Sequence, residues 1–352
     1  PLGCAEHMSD KQTRYSRVSV IEQNDARIVL HWRYAISDIA YNIFGASSPT
    51  DWGEWADEFY FIYPDGISTR HQILFTDHLS HEWQETIVLH QPGTRPEDNI
   101  DLEAMTLANM KGESKTYSWA GGPPLKFSEP SDINIQMVNL KSRYKPFIIF
   151  EPGPAIRPFR GAIHKEYSHF SWWNHWPVAQ LPNDGRAATA PDRPSHSSLS
   201  QSVEKSQVIH KTSDRTYSVV TLIGMSDQPA RSLAPLARSW NRPPDLTVAG
   251  SKFAGGGYDK NERAFQIETT TPGKPGVLDL TLGACAASPL VNPALVIRNW
   301  GDAGVEVEVN GRDVPRGEDV RWGYRDTLEG RDLILWLKIE SSKPLELLLT
   351  PR

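Results

Sequence analysis

The sequence predicts an all-β protein, a large antiparallel β-sandwich over residues 9–245 followed by a smaller C-terminal β-sandwich over 246–352. Three observations carry this. Short strand-like segments follow one another from Tyr15 to about Phe150, turn residues separate them, and the composition shifts after Asp245 into a second series of short strands.

In chain order, residues 16–22 alternate and residues 26–34 are rich in Ile, Val, Leu and Trp. Residues 58–63 and 68–76 flank Pro64-Asp65-Gly66, where proline presets the turn's φ and glycine supplies a positive one. Residues 82–89, 133–139 and 147–150 continue the series. A helix is expected over 96–110, with Asp98 or Asn99 as cap and Ile100, Met105 and Leu107 on a partial stripe. Residues 153–200 carry many Pro and Gly and little periodicity, and long irregular stretches of this kind are usually functional. Residues 217–225 return to strand, and 229–240 read as a short helix before the linker Arg242-Pro243-Pro244. Six further strands are expected at 277–282, 294–299, 305–309, 319–324, 333–339 and 345–349, with Asn310-Gly311 as a hairpin turn. Residues 1–8 read as a protease-site and cloning remnant.

The 352 residues are 39% hydrophobic and 23% charged, enough apolar content for a core and too much for a disordered chain. No run approaches the roughly 18–20 apolar residues that span a bilayer, so no membrane partner is expected. The net charge of -6 argues against a nucleic-acid binder. Between Lys141 and Arg242, however, basic residues outnumber acidic ones, which suits an anionic ligand of limited size. Cys4 and Cys285 give no disulfide framework and no cysteine zinc site.

The densest polar-aromatic cluster is His164–Ser200. If residues 163–173 are extended, alternation puts Tyr167, His169, Ser171 and Trp173 on one face. His169, His175 and His196 could bind a metal, but no His-Glu-x-x-His spacing is present, and no metal site is assigned. No Gly-x-Ser-x-Gly elbow supports a serine hydrolase. A glycosidase needs two carboxyls across the bond. Asp57 and Glu58 are neighbours that point to opposite faces, while Asp51, Glu54, Asp184 and Asp192 keep that option open.

The residue types fit β-elimination at a uronic acid. Removing the C5 proton requires that the adjacent carboxylate be neutralised, and the leaving oxygen needs an acid. His175 or His169 suits the base and Tyr167 the acid; Asn174 with Arg186 or Arg193 suits the neutralising role. Trp172, Trp173 and Trp176 are sugar platforms, and Gln180 and His196 complete the binding set. A second cluster, residues 51–60, reads as a loop packed by its Trp residues or as a subsite wall, with His31-Trp32-Arg33-Tyr34 and Tyr41-Asn42 on the same concave face.

Trp32-Arg33-Tyr34, residues 52–58 with Tyr63-Pro64-Asp65-Gly66, and residues 169–177 with Asp184-Gly185-Arg186 and Asp192-Arg193-Pro194-Ser195-His196 resemble polysaccharide lyases of marine bacteria, among them the ulvan lyases. The resemblance covers about residues 15–245. It implies a supersandwich-like, galactose-mutarotase-like β-sandwich, a secreted or periplasmic location, and eliminative cleavage of an anionic, sulfated polysaccharide. No cofactor is expected, and a structural calcium or zinc ion is compatible with the donors. Alternatives are a glycoside hydrolase on the same sandwich and a non-catalytic carbohydrate-binding protein.

Overall fold

The computed structural model describes residues 5–10, 12–38, 40–47, 51–77, 81–94, 96–159, 173–175, 195–203 and 207–352, with 8, 173–175, 195, 196 and 203 described by backbone alone. The protein is all-β, 51% strand against 6% helix, with antiparallel sheets in a β-sandwich architecture. Backbone contacts divide it into two compact units. The first takes Pro1–Ser19, His31–Phe59 and His71–Ser232; the second takes Val20–Leu30, Tyr60–Arg70 and Leu233–Arg352.

A ten-stranded sheet runs in the order Ser16–Gln23, Ile28–Ala35, Trp55–Ile62, Ser68–Phe75, Thr216–Ser226, Lys145–Phe150, Ile135–Leu140, Ile100–Ala108 and Ser114–Tyr117, with His210–Ser213 paired to Thr216–Ser226. In the first unit it packs against a four-stranded sheet. There Ser195–Val203 is central, with Glu82–His90 along one side and Ile156–Pro158 and Trp173–His175 along the other. Two buried clusters join these sheets: Val88 and Leu199 against Ile100, Met105, Leu107 and Val138, and Trp83 against Tyr34, Ala56, Leu74 and Val219. In addition, His7 packs edge-on against Trp32 at 4.9 Å and the Glu6 N–H donates to the Ser37 carbonyl.

The helix expected over 96–110 is corrected: only Pro96–Asn99 is helical, and Ile100–Ala108 is a strand. Tertiary pairing overrides the partial stripe, because this strand bonds to neighbours on both sides and buries Met105 and Leu107 between the sheets. The hairpin that follows is built by Asn109, whose Oδ1 accepts the N–H groups of Lys111 and Glu113 at 3.0 and 3.1 Å. The irregular stretch after Gly153 likewise contains strands, and among the described residues the longest is Ser195–Val203.

The core of the second unit lies between two five-stranded sheets. One is Leu246–Ala249, Leu278–Leu282, Leu345–Pro351, Val305–Val309 and Arg312–Asp313; the other is Phe253–Asp259, Ala264–Thr269, Ala294–Arg298, Arg331–Leu337 and Val320–Asp326. The Asn310-Gly311 turn has φ of 51° and 72°, the left-handed pair a two-residue hairpin requires.

Two hairpin tips from the N-terminal part of the chain belong to this unit and are held by buried arginines. Arg27 donates from Nε and Nη2 to Glu22 at 2.7 and 2.8 Å and from Nη1 to Glu262 at 2.7 Å. Arg263 grips Asp65 through both terminal nitrogens at 3.2 and 2.8 Å, and Asn292 donates to the same carboxylate at 3.1 Å. Beneath them Ala26 and Tyr63 pack on Ala264, Ala294, Val296, Ile334 and Trp336. A Cβ at Gly323 would stand 2.5 Å from the Asn24 Cβ, so the first tip requires glycine there. Removing one member of a buried ion pair strands its partner, typically at 3–5 kcal/mol. Arg263→Ala is therefore expected to lower the urea midpoint by an amount equivalent to about 3–5 kcal/mol. An unchanged midpoint would contradict the clamp.

Candidate functional site

Tyr167, His169, Trp172, Trp176, Gln180, Arg186 and Arg193 lie outside the described residues, as do Asp184 and Asp192. Trp173, Asn174 and His175 form a short strand antiparallel to Ser195–Val203, in which His175 is the register partner of His196, Asn174 of Ser197 and Trp173 of Ser198. Four residues proposed for chemistry or binding, Trp173, Asn174, His175 and His196, thus occupy neighbouring register positions on one sheet.

Ser195–Val203 is a serine-rich central strand whose Ser197, Ser198, Ser200 and Ser202 are all buried. Small hydroxyls fit there, and those of Ser197 and Ser200 are met by side-chain partners. On the face toward the large sheet, Ser200 Oγ donates to Gln136 Oε1 at 2.9 Å, and the Gln136 amide donates to Thr86 Oγ1. One step along, Ser197 Oγ lies 2.7 Å from His90 Nε2, and Asn99 Nδ2 donates to His90 Nδ1 at 3.3 Å. This Ser-His-Asn chain has the connectivity of a nucleophilic triad with the proton reversed. Because Nδ1 accepts from Asn99, the ring proton sits on Nε2 and is donated to the serine. Burial lowers the His90 pKa to about 4, with Asp98 opposing, so the ring is neutral. The group is architectural.

The opposite face of the small sheet titrates differently. Glu85, Gln201 and Arg157 form one register row across three strands, and Arg157 Nε donates to Gln201 Oε1 at 2.9 Å. Burial pushes the Glu85 carboxyl up, against a Ser198 hydrogen bond that favours its charged form. Glu82 is pushed up to about 7, first by desolvation and then by the charge of Glu85, with Gln201 and Arg157 pulling back. Glu82 is exposed as a residue, so solvent tempers the desolvation that raises it. Along Ser195–Val203, the next rows hold Ser198 with Trp173 and then His196 with His175. A carboxyl poised near neutrality beside a second raised carboxyl is the arrangement that acid–base work needs. The sequence reading placed residues 82–89 in a strand without marking Glu82 or Glu85. The signal was the pair of carboxyls flanking Trp83-Gln84.

A second polar-aromatic cluster lies on the large sheet. Asp57 accepts from His31 Nε2 and Arg33 Nη1, both at 2.7 Å, and His31 stacks on Phe59 with centroids 4.6 Å apart. The Arg33 guanidinium lies 5.3 Å from the Trp55 ring centroid and 5.8 Å from that of Phe75. Glu58 points the other way, buried, and accepts from Tyr34 Oη at 2.7 Å, so Asp57 and Glu58 do occupy opposite faces. Glu54 is buried and accepts from Thr76 Oγ1 at 2.6 Å. The half-buried His31 and Arg33, with flanking aromatic rings, form a polar-aromatic surface around Asp57. Among the described residues no group of three or more His, Cys, Asp or Glu is arranged to hold a metal. No described helix is long and apolar enough to cross a membrane.

The His90 shift carries a pH signature. The folded ring titrates near 4 against an ordinary 6.5, so between those values the unfolded chain binds a proton that the fold does not. The neutral ring's contribution is fully present above about 6.5 and is lost as pH falls toward 4, by roughly 3 kcal/mol in all. Urea unfolding of His90→Gln is expected to lose less stability over that window than the parent; equal pH dependence would contradict the assignment. No protein-family model matches the chain, and no curated protein matches it.

Proposed function

We propose that the protein is a polysaccharide lyase that cleaves a uronic-acid-containing, sulfated, ulvan-like polymer by β-elimination, outside the cytoplasm. The observation that carries this reading is the register pairing of Asn174-His175 with His196-Ser197 on a sheet that also carries exposed Arg157, paired to Gln201 of the same central strand. In the proposed reaction a base takes the C5 proton of the uronate, the released electron pair forms the C4–C5 double bond, and the glycosidic C4–O bond breaks. An acid protonates the departing oxygen. His175 or His169 serves as base and Tyr167 as acid. Asn174 with Arg193 or Arg186 holds the uronate carboxylate, where charge accumulates in the transition state. Trp172, Trp173, Trp176, Gln180 and His196 bind the flanking sugars, and the His31–Asp57–Arg33 surface extends the contact with an acidic chain.

One observation favours a second reading. Glu82 and Glu85, both raised, supply the pair of carboxyls that a glycoside hydrolase requires. The two chemistries give different products. Elimination leaves an unsaturated uronate that absorbs ultraviolet light; hydrolysis leaves saturated ends.

Incubation with ulvan, alginate, chondroitin and pectin is expected to give rising ultraviolet absorbance on at least one polymer. His175→Ala is expected to cut that rate by about a hundredfold or more. Reducing ends without absorbance, abolished by Glu82→Gln, would replace the lyase reading with the hydrolase one. Neither product on any polymer would leave a binding protein.

A further inference from the structure

A cleft of about 800 Å³ lies on the first unit, over the strands Ile100–Ala108, Ser114–Tyr117, Ile135–Leu140 and Lys145–Phe150. Met105, Leu107, Val138 and Leu140 pack into the core shared with the small sheet, so alternation turns Thr106, Met137 and Asn139 to the outer face of the large sheet. One wall is the turn that follows Thr216–Ser226. There Arg143 holds Asp227 from Nη2 at 3.0 Å and the Gln228 N–H donates to Ser226 Oγ at 3.0 Å, so the wall is built before anything binds. The volume falls in the roughly 300–1,000 Å³ range of small-molecule clefts.

What marks the place is a set of polar groups left open toward it. Asn139 is 9% exposed, and its amide nitrogen donates to the Glu103 carbonyl at 2.6 Å and to Thr106 Oγ1 at 3.1 Å. Those two bonds use both N–H groups and fix the amide's orientation. Its Oδ1 has no partner among the described residues, yet it is not one of the fully buried unpaired atoms, so a ligand can reach it. Thr106 Oγ1 lies 3.0 Å from the hydroxyl of exposed Thr116, which extends the polar floor. Lys145 stands across from Asn139, two residues beyond the Met137–Phe147 register pair. Lys145, Arg231, Asp101 and Glu103 all line the cleft and reach solvent, and among the described residues none of the four forms an ion pair. One such charge would be ordinary solvated surface. Four around an oriented, unpaired amide oxygen are a set of ligand contacts.

We infer that this cleft binds a neutral sugar chain, with Asn139 Oδ1, Lys145 and the Thr106 and Thr116 hydroxyls beneath it and Asp101, Glu103 and Arg231 around it. Asp227 is already met by Arg143, and the remaining two cations and two carboxylates cancel, so no net field selects an ion of either sign. A sugar hydroxyl answers both kinds of group. It accepts from Lys145 or Arg231 and donates to Asp101, Glu103 or Asn139 Oδ1, in bonds that a charged partner strengthens. A polymer bearing carboxylates or sulfates would instead set like charges against Asp101 and Glu103. The site is independent of the eliminative reading: it lies on the face of the large sheet turned away from the small sheet, asks for no uronate, and performs no chemistry.

The test follows the side-chain amide resonance pair of Asn139 in the full ¹⁵N-asparagine-labelled chain, titrated with cellohexaose, xylohexaose, mannohexaose and laminarihexaose to millimolar concentration. The pair is assigned against Asn139→Ser or, should that variant fail to fold, through its proximity to Thr106. A saturable shift with at least one of the four sugars is expected. The affinity should weaken roughly tenfold or more in Lys145→Ala and in Glu103→Ala, since each removes a charged hydrogen-bond partner that solvent already reaches. His175→Ala should bind as the parent does, which separates this site from the eliminative one. The inference is overturned if no neutral oligosaccharide moves the pair, if either cleft variant binds as the parent does, or if His175→Ala abolishes the shift. It is equally overturned if only charged oligogalacturonate or free lysine, a zwitterion, produces the shift.

Discussion

Two buried guanidinium groups set the conditions for much of this fold. Arg27 and Arg263 cannot sit in the second unit uncompensated, because the desolvation of each charge exceeds what a single contact returns. Each is therefore met by a full set of acceptors: Glu22, Glu262 and the Tyr63 hydroxyl for Arg27, and Asp65 with the Val291 carbonyl for Arg263. Of these, Glu22, Tyr63 and Asp65 lie on the two hairpins whose strands also carry residues of the first unit. Four strands must consequently be long enough to serve both the large sheet and the ion pairs. The apolar contacts of Ala26 and Tyr63 with Ala264, Ala294 and Trp336 supply the attraction; the ion pairs supply the register.

The small sheet of the first unit divides its chemistry by face. Toward the large sheet Ser200, Thr86 and Gln136 bond to one another, and His90 is held neutral with its proton committed to Ser197. On the other face, desolvation raises both Glu82 and Glu85, the charge of Glu85 raises Glu82 further, and Gln201 and Arg157 restrain Glu82. Alternation along one strand separates the inert polar layer from the titrating one. The same alternation on the large sheet sends Glu58 into the interior and Asp57 to the His31–Arg33 surface.

How far this could be read from the chain differs by element. The 58–63 and 68–76 strands and the Asn310-Gly311 hairpin were legible because turn chemistry and period-2 patterning agree there. Residues 100–108 misled because Ile100, Met105 and Leu107 fit a helical stripe about as well as a strand, and only the pairing with 114–117 and 135–140 decides. The serine strand was invisible to a hydrophobic pattern, since hydroxyls and not apolar side chains fill its buried positions. No pattern along the chain assigns residues 20–30 and 60–70 to the C-terminal unit, because that membership rests on ion pairs as remote in sequence as Arg27 with Glu262. At the site, the 164–200 cluster was singled out by residue types alone. Glu82 and Glu85 were not, because a raised carboxyl is a property of surroundings and not of identity.

The eliminative reading is tested most directly by the mass of products formed in water enriched in oxygen-18. Elimination consumes no water, so each cleavage should yield a product lighter by one water than its saturated counterpart, with no label incorporated. Saturated products carrying oxygen-18 at the new reducing end would contradict it and turn attention from His175 to the Glu82–Glu85 pair.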